Sequence, residues 1–172
     1  MFARPILALL TLFGAASAVA AADYSLNDGI VTFNAPDDWP VIMQMTEGSP
    51  QVVAFQVKDP ADSGTDEASR VSVTTRKLDD AQAFQAFVST SMEKARQTPG
   101  YESENGPDGS SSLRYSGLNA KTRYKYRESY FFQNGIGVQL RCAHPVLKNT
   151  SAAWLAAFDR GCEQVAASLQ RK

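Results

Sequence analysis

The chain has 172 residues, a formal net charge of −1 and 44% hydrophobic residues. Its 17 Lys and Arg against 18 Asp and Glu exclude a global polyanion-binding role and leave only local patches. Its single histidine excludes metal sites built on several histidines, and its two cysteines form an even pair.

The first residues read as a targeting segment. Arg4 supplies a positive start, Ile6 to Phe13 an apolar run, and A-x-A-like sites follow at Ala18-Val19-Ala20 and Ala20-Ala21-Ala22. This is the pattern of a secretory signal peptide, cut just before Ala21 or Asp23. The apolar run is too short, and too soon interrupted by Gly14 and Ser17, for a permanent membrane span. The cleavage region carries no cysteine for a lipoprotein anchor, and no later stretch is apolar enough to be an integral membrane span. Residues 1–22 are therefore expected to be a signal peptide, and residues 23–172 one globular domain of about 150 residues. The implied location is periplasmic or secreted. In that compartment Cys142 and Cys162 read as a disulfide, and a closed loop of roughly 20 residues would contribute about 3 kcal/mol.

The mature part opens with strand residues at 24–35, turned by Asn27-Asp28-Gly29. Pro36-Asp37-Asp38 breaks the strand, and Trp39 just after this turn is placed to plug one end of the core. Residues 41–46 and Gln51 to Lys58 are predicted strands around the turn Glu47-Gly48-Ser49-Pro50. Asp59 to Ser69 is a polar surface loop, and Arg70 to Lys77 alternates as a strand. A helix is predicted from about 79 to 96, with Asp79 as cap and Gln82 three residues on. Its stripe of Phe84, Phe87, Val88, Met92 and Ala95 suits a core-facing side. Residues 99–112, rich in Gly and Pro, read as a mobile connector with an option of touching a partner. Strands follow at Leu113 to Leu118, Lys121 to Gln133 and Ile136 to Ala143. Asn149-Thr150-Ser151 then caps a last helix reaching about 169, with the stripe Trp154, Phe158, Cys162, Val165 and Leu169. Strand runs joined by turns, with two helices to cover them, predict an α+β fold with a mainly antiparallel sheet.

Asn134-Gly135 suits both positive-φ positions of a two-residue hairpin loop, which fixes a register. Gln133 then faces Ile136, Phe131 faces Val138, Ser129 faces Leu140 and Arg127 faces Cys142 on one side of the sheet. Phe132 faces Gly137, Tyr130 faces Gln139, Glu128 faces Arg141 and Tyr126 faces Ala143 on the other. The disulfide would thus lay the last helix over the Phe131 side. The opposite side would carry Tyr124, Tyr126 and Tyr130 with a Glu128–Arg141 ion pair. These tyrosines can pack under the first helix or form a contact surface, for which Tyr and Arg are favoured. Lys121, Arg123, Lys125 and Arg127 alternate along one side, as a solvated edge or an anion-binding stripe.

Catalysis needs positioned acid, base or nucleophile groups. Cys142-x-His144 is a poor ligand set or nucleophile pair once the cysteines are bonded, and no G-x-S-x-G elbow occurs. Asp37-Asp38, Asp79-Asp80 and Glu102/Glu104 stand at turns, caps or loops. The expectation is no enzyme activity, no cofactor, no metal and no nucleic acid.

The stretch Phe33-x-x-Pro36-x-x-Trp39, reached from Gly29-Ile30, resembles the opening of PsbP-like proteins. The order of strands, helix, antiparallel strands and C-terminal helix is similar across most of the mature chain. The resemblance implies an α/β/α sandwich and a non-catalytic binding or assembly role, with no tie to photosynthesis. Together these features suggest a module binding another protein in the cell envelope, most concretely an inhibitor or immunity-type protein that neutralises a toxin or hydrolase. The anticipated contact residues are Arg123, Tyr124, Tyr126, Glu128, Tyr130 and Arg141, with the 99–112 loop as a further contact. An accessory or assembly subunit of an envelope complex, a small-ligand or lipid carrier, and a hydrolase are the alternatives.

Overall fold

The computed structural model describes residues 20–62, 68–105 and 112–169. Most of the targeting segment lies outside these residues, as do 63–67 and 106–111 of the two polar loops.

The first two strands form a hairpin of their own, β1 (Ala21–Leu26) against β2 (Val31–Pro36). Asn27, Asp28 and Gly29 all take positive φ between them, a conformation that Asn, Asp and Gly tolerate best. Seven further strands make one sheet. They are β3 (Val41–Met45), β4 (Gln51–Val57), β5 (Ser69–Lys77), β6 (Glu102–Ser103), β7 (Leu113–Asn119), β8 (Thr122–Gln133) and β9 (Ile136–Pro145). Their order is β3-β4-β5-β9-β8-β7-β6, with every pairing antiparallel. Helices α1 (Ala81–Arg96) and α2 (Ala152–Leu169) lie on opposite faces, so the predicted α+β sandwich is the observed one.

Strand alternation sorts the side chains. Val53, Phe55, Val71, Val73, Val138 and Leu140 point to one face and are buried. The β1–β2 hairpin and α2 cover this face with Leu26, Val31, Phe33, Phe158, Val165 and Leu169 in a single core. Trp39 fills the end of that core, its ring 6.2 Å from Phe55 and 6.3 Å from Phe158. Gly161 makes this possible, because a Cβ there would come within 2.4 Å of the indole. Ser151 caps α2 by accepting from the Trp154 amide at 3.1 Å.

The hairpin register is the predicted one, from Gln133 opposite Ile136 to Arg127 opposite Cys142. Asn134 and Gly135 have φ of 47° and 77°, as a two-residue loop with both φ positive requires. Cys142 and Cys162 are bonded with Cα atoms 6.5 Å apart, tying α2 to β9. The bond fits an oxidising, extracytoplasmic compartment.

Two local expectations are corrected. The cap of α1 is Asp80 rather than Asp79: its Oδ1 accepts from the Ala83 amide at 2.8 Å. The 99–112 connector contains strand β6, which pairs Glu102 with Ser116 and Ser103 with Tyr115. Two residues are too few to show an alternating pattern, so the strand was not visible in the sequence.

Candidate functional site

The second face of the sheet is covered unequally. Helix α1 lies over one end of it, with Phe84 stacked on Phe132 at 5.2 Å and Phe87 edge-on to Tyr130 at 6.0 Å. Gly137 admits the segment leading into this helix, since a Cβ there would stand 2.5 Å from Leu78 Cδ1. The apolar stripe of α1 points inward as predicted, but of its residues only Ala95 is fully buried.

Beside the helix, β7 and β8 build an aromatic layer. The Tyr115 and Tyr126 rings stack at 4.7 Å, Tyr124 follows Tyr126 at 6.0 Å, and Tyr101 leans on Tyr115 at 5.4 Å. Glu128 stands among them with only 2% of its surface exposed. Its carboxylate accepts from Tyr115 Oη at 2.9 Å, from Gln139 Nε2 at 2.9 Å and from Tyr130 Oη. Arg141 Nε is 3.1 Å from Glu128 Oε1. That contact is ionic, because the buried N–H is not aligned for a hydrogen bond. Arg141 Nη2 donates to Tyr115 Oη at 3.1 Å, and its guanidinium sits 4.7 Å above the Tyr126 ring. Burial, reinforced by the nearby Glu128 carboxylate, pushes the Tyr115 and Tyr130 hydroxyls well above their ordinary pKa. Burial raises Tyr126 too, with Arg141 opposing. All three phenols therefore act as neutral groups at physiological pH.

The six anticipated contact residues are thus not one exposed surface. Arg123 projects to the opposite face, where it meets Glu102 at 3.2 Å and Ser116 Oγ at 3.0 Å. Strand alternation sends odd and even positions of β8 to different sides. Tyr124, Tyr126 and Glu128 are buried, while Tyr130 and Arg141 are half-buried. Glu128–Arg141 is the centre of a buried polar cluster, not the surface ion pair that its place in the sequence suggested. Of the other stripe cations, Lys125 meets Glu104 at 3.2 Å and Arg127 meets Glu163 at 3.4 Å. Tyr115 was missed as a partner. The loop Ala120-Lys121 that brings it opposite Tyr126 lacks a turn signature, although Ala120 takes a φ of 52°.

Beyond the tyrosines no described element covers the second face. A concavity of about 480 Å³ has Ala54, Ser72 and Ala143 on its floor, with Met43, Arg70 and Arg141 at its margins. It runs out to β3, the end strand of the sheet, all of whose residues are exposed. Met43 and Met45 pair with Ala54 and Val52 and so face the concavity, with 51% and 48% of their surface exposed. Val41 and Ile42 extend the apolar edge across a bulge. Met43 and Met45 share one side of the strand with Ile42 at the bulge, whereas Val41, opposite Phe55, stands on the other side; an exposed apolar cluster on an end strand marks an interaction surface more often than scattered singletons do. The sequence showed β3 as a strand, but no local signal tells an end strand from a central one.

Among the described residues, no group of three or more His, Cys, Asp or Glu converges as a metal site. No described helix is long and apolar enough to cross a membrane.

No protein-family model and no curated protein matches the chain. Solved structures do. Protein PA94 of Pseudomonas aeruginosa, a protein of unknown function, shares the fold with a TM-score of 0.51 at 16% identity, over 88% of this chain and 97% of its own. LpqN of Mycobacterium tuberculosis, described as involved in cell envelope biogenesis, aligns with a TM-score of 0.48 at 14% identity, over 85% of this chain and 87% of its own. Neither is described as PsbP-like, so that family resemblance is not established.

Proposed function

We propose that the chain is an exported, non-catalytic module that binds another protein of the cell envelope through the open part of its second sheet face. The observation that carries this reading is the exposed apolar edge at Ile42, Met43 and Met45, with Met43 in the lining of a concavity that no described element covers. Among the described strands β3 is an end strand with one side of its backbone unpaired, which suits addition of an extended partner segment. Flexible methionines suit an adaptable apolar contact. Arg70 and Arg141 stand in the lining of the concavity, and among the described residues no Asp or Glu does. The partner segment is accordingly an extended strand with apolar side chains and at least one carboxylate. An accessory role in an envelope complex and an inhibitory role both use such a surface; no feature of it singles out a toxin or a hydrolase.

A photo-crosslinking side chain at Met43 tests the proposal in cells that export the protein. Adducts with one protein are expected from position 43 and not from the exposed Arg160 on α2. Equal adducts from both positions, or none from 43, would overturn it.

A further inference from the structure

The opposite face holds a second concavity, independent of the proposed protein-binding surface. It lies where β7, β8 and β9 emerge from under the N-terminal half of α2, with a volume of about 280 Å³. Its floor carries Arg114, Arg127 and the Cys142 side of the disulfide, and Leu155 and Phe158 form the helix wall. Leu147 and Val146, from the segment before α2, close the rim.

The charges here are not fully paired. Lys125 has Glu104 at 3.2 Å. Arg127 has Glu163 at 3.4 Å and donates to the Asp159 carbonyl at 3.2 Å. Arg114 stands directly opposite Arg127 in the β7–β8 register, and its buried Nε has no hydrogen-bond partner among the described residues. Like charges at directly opposed positions are destabilising, and a buried donor without a partner costs the desolvation of that group. The like-charge penalty is relieved by an anion seated between the two guanidinium groups.

We infer that this pocket binds a carboxylate carried on a short apolar stem, with the carboxylate on Arg114 and Arg127 and the stem against Leu155, Phe158 and Leu147. The planar fork of arginine matches a carboxylate in a bidentate way. Glu104 and Asp159 also line the pocket, so a dianion such as phosphate meets about twice the repulsion of a monoanion and has no stem for the apolar wall. The volume is at the small end of ligand sites, which selects a short stem over a full lipid tail. Two sources share this chemistry: a free medium-chain fatty acid and the C-terminus of a peptide ending in an apolar residue.

Calorimetric titration of the oxidised protein with octanoate, N-acetyl-leucine, 1-octanol and inorganic phosphate tests the assignment. Octanoate or N-acetyl-leucine is expected to bind, and octanol and phosphate are not. The tighter of the two acids identifies the source. Arg114→Gln should weaken the bound acid about tenfold or more, as loss of one charge-assisted hydrogen bond implies. Arg96→Gln, at the exposed end of α1, should leave it unchanged. Absence of binding by both acids, phosphate binding as tightly as either, or an unchanged affinity in Arg114→Gln would overturn the proposal. Amide shifts in the unsubstituted protein supply a test that no folding defect can obscure. Shifts at Lys125, Arg127, His144, Val146 and Leu147 are expected on adding the acid, and shifts confined to β3 and β4 would overturn the site.

Discussion

The two faces of the sheet solve the same packing problem differently. On the first face most inward positions of β4, β5 and β9 are apolar, with the small polar Ser69 and Thr75 toward the strand ends, and a helix, a hairpin and a disulfide close over it. On the second face α1 covers one end, a tyrosine layer built on a buried glutamate holds the middle, and the edge at β3 stays open. The first face is specified by shape and apolar area, which needs no directional contact. The middle of the second face is specified by hydrogen bonds, so each group depends on its neighbours. The contrast teaches where change is tolerated: stability resides in the closed face and the polar cluster, and the open edge is available for binding.

Three substitutions or conditions probe this division. The largest effect is expected from Cys142→Ser with Cys162→Ser. Removing the cross-link should lower unfolding free energy by about 3 kcal/mol, measured by denaturant titration. A loss below about 1 kcal/mol would mean that apolar packing alone holds α2 on the sheet.

A smaller loss, about 2 kcal/mol at neutral pH, is expected from Tyr115→Phe, which removes a donor to the buried Glu128. The same cluster predicts a pH dependence. The Tyr115 and Tyr130 hydroxyls hold their protons more tightly when folded than the ordinary value of 10.0. Their contribution is therefore complete below that value, and falls away as pH rises from it toward the higher folded pKa. Denaturant midpoints measured from neutral pH to pH 11 and beyond should decline at the alkaline end, and less steeply in Tyr115→Phe. Phenolate absorbance appearing in full while the protein remains folded would contradict the buried arrangement.

The smallest effect is expected at the edge. Met43→Lys with Met45→Lys should shift stability by no more than about 0.5 kcal/mol, because both residues are about half exposed. The thermal midpoint should hold while crosslinking from a probe placed at the exposed Ile42 is lost. A large stability loss would make the edge part of the core and erase the distinction between the faces.

Elements carried by local pattern were legible. The Asn134-Gly135 loop set the register of β8 and β9, and with it the side on which Cys142 lies. The spacing of Phe158, Cys162, Val165 and Leu169 identified the buried stripe of α2. The site was less legible. Glu128 and Arg141 were paired correctly by the hairpin, but the depth of Glu128 follows from Tyr115 arriving across a loop with no turn signature. Arg123 was grouped with residues from which strand alternation separates it. The exposure of Met43 follows from the position of β3 at the end of the sheet order.

The amino-acid sequence by itself determined the α+β class, the hairpin register and the pairing of the cysteines. These depend on side-chain period and on loops of a few residues, whose geometry is local. Only the tertiary structure decided that α1 covers one end of its face, that Glu128 is buried among tyrosines, that Arg114 confronts Arg127, and that β3 is left open. Each of these depends on which strands become neighbours across long separations, and no local period encodes that order.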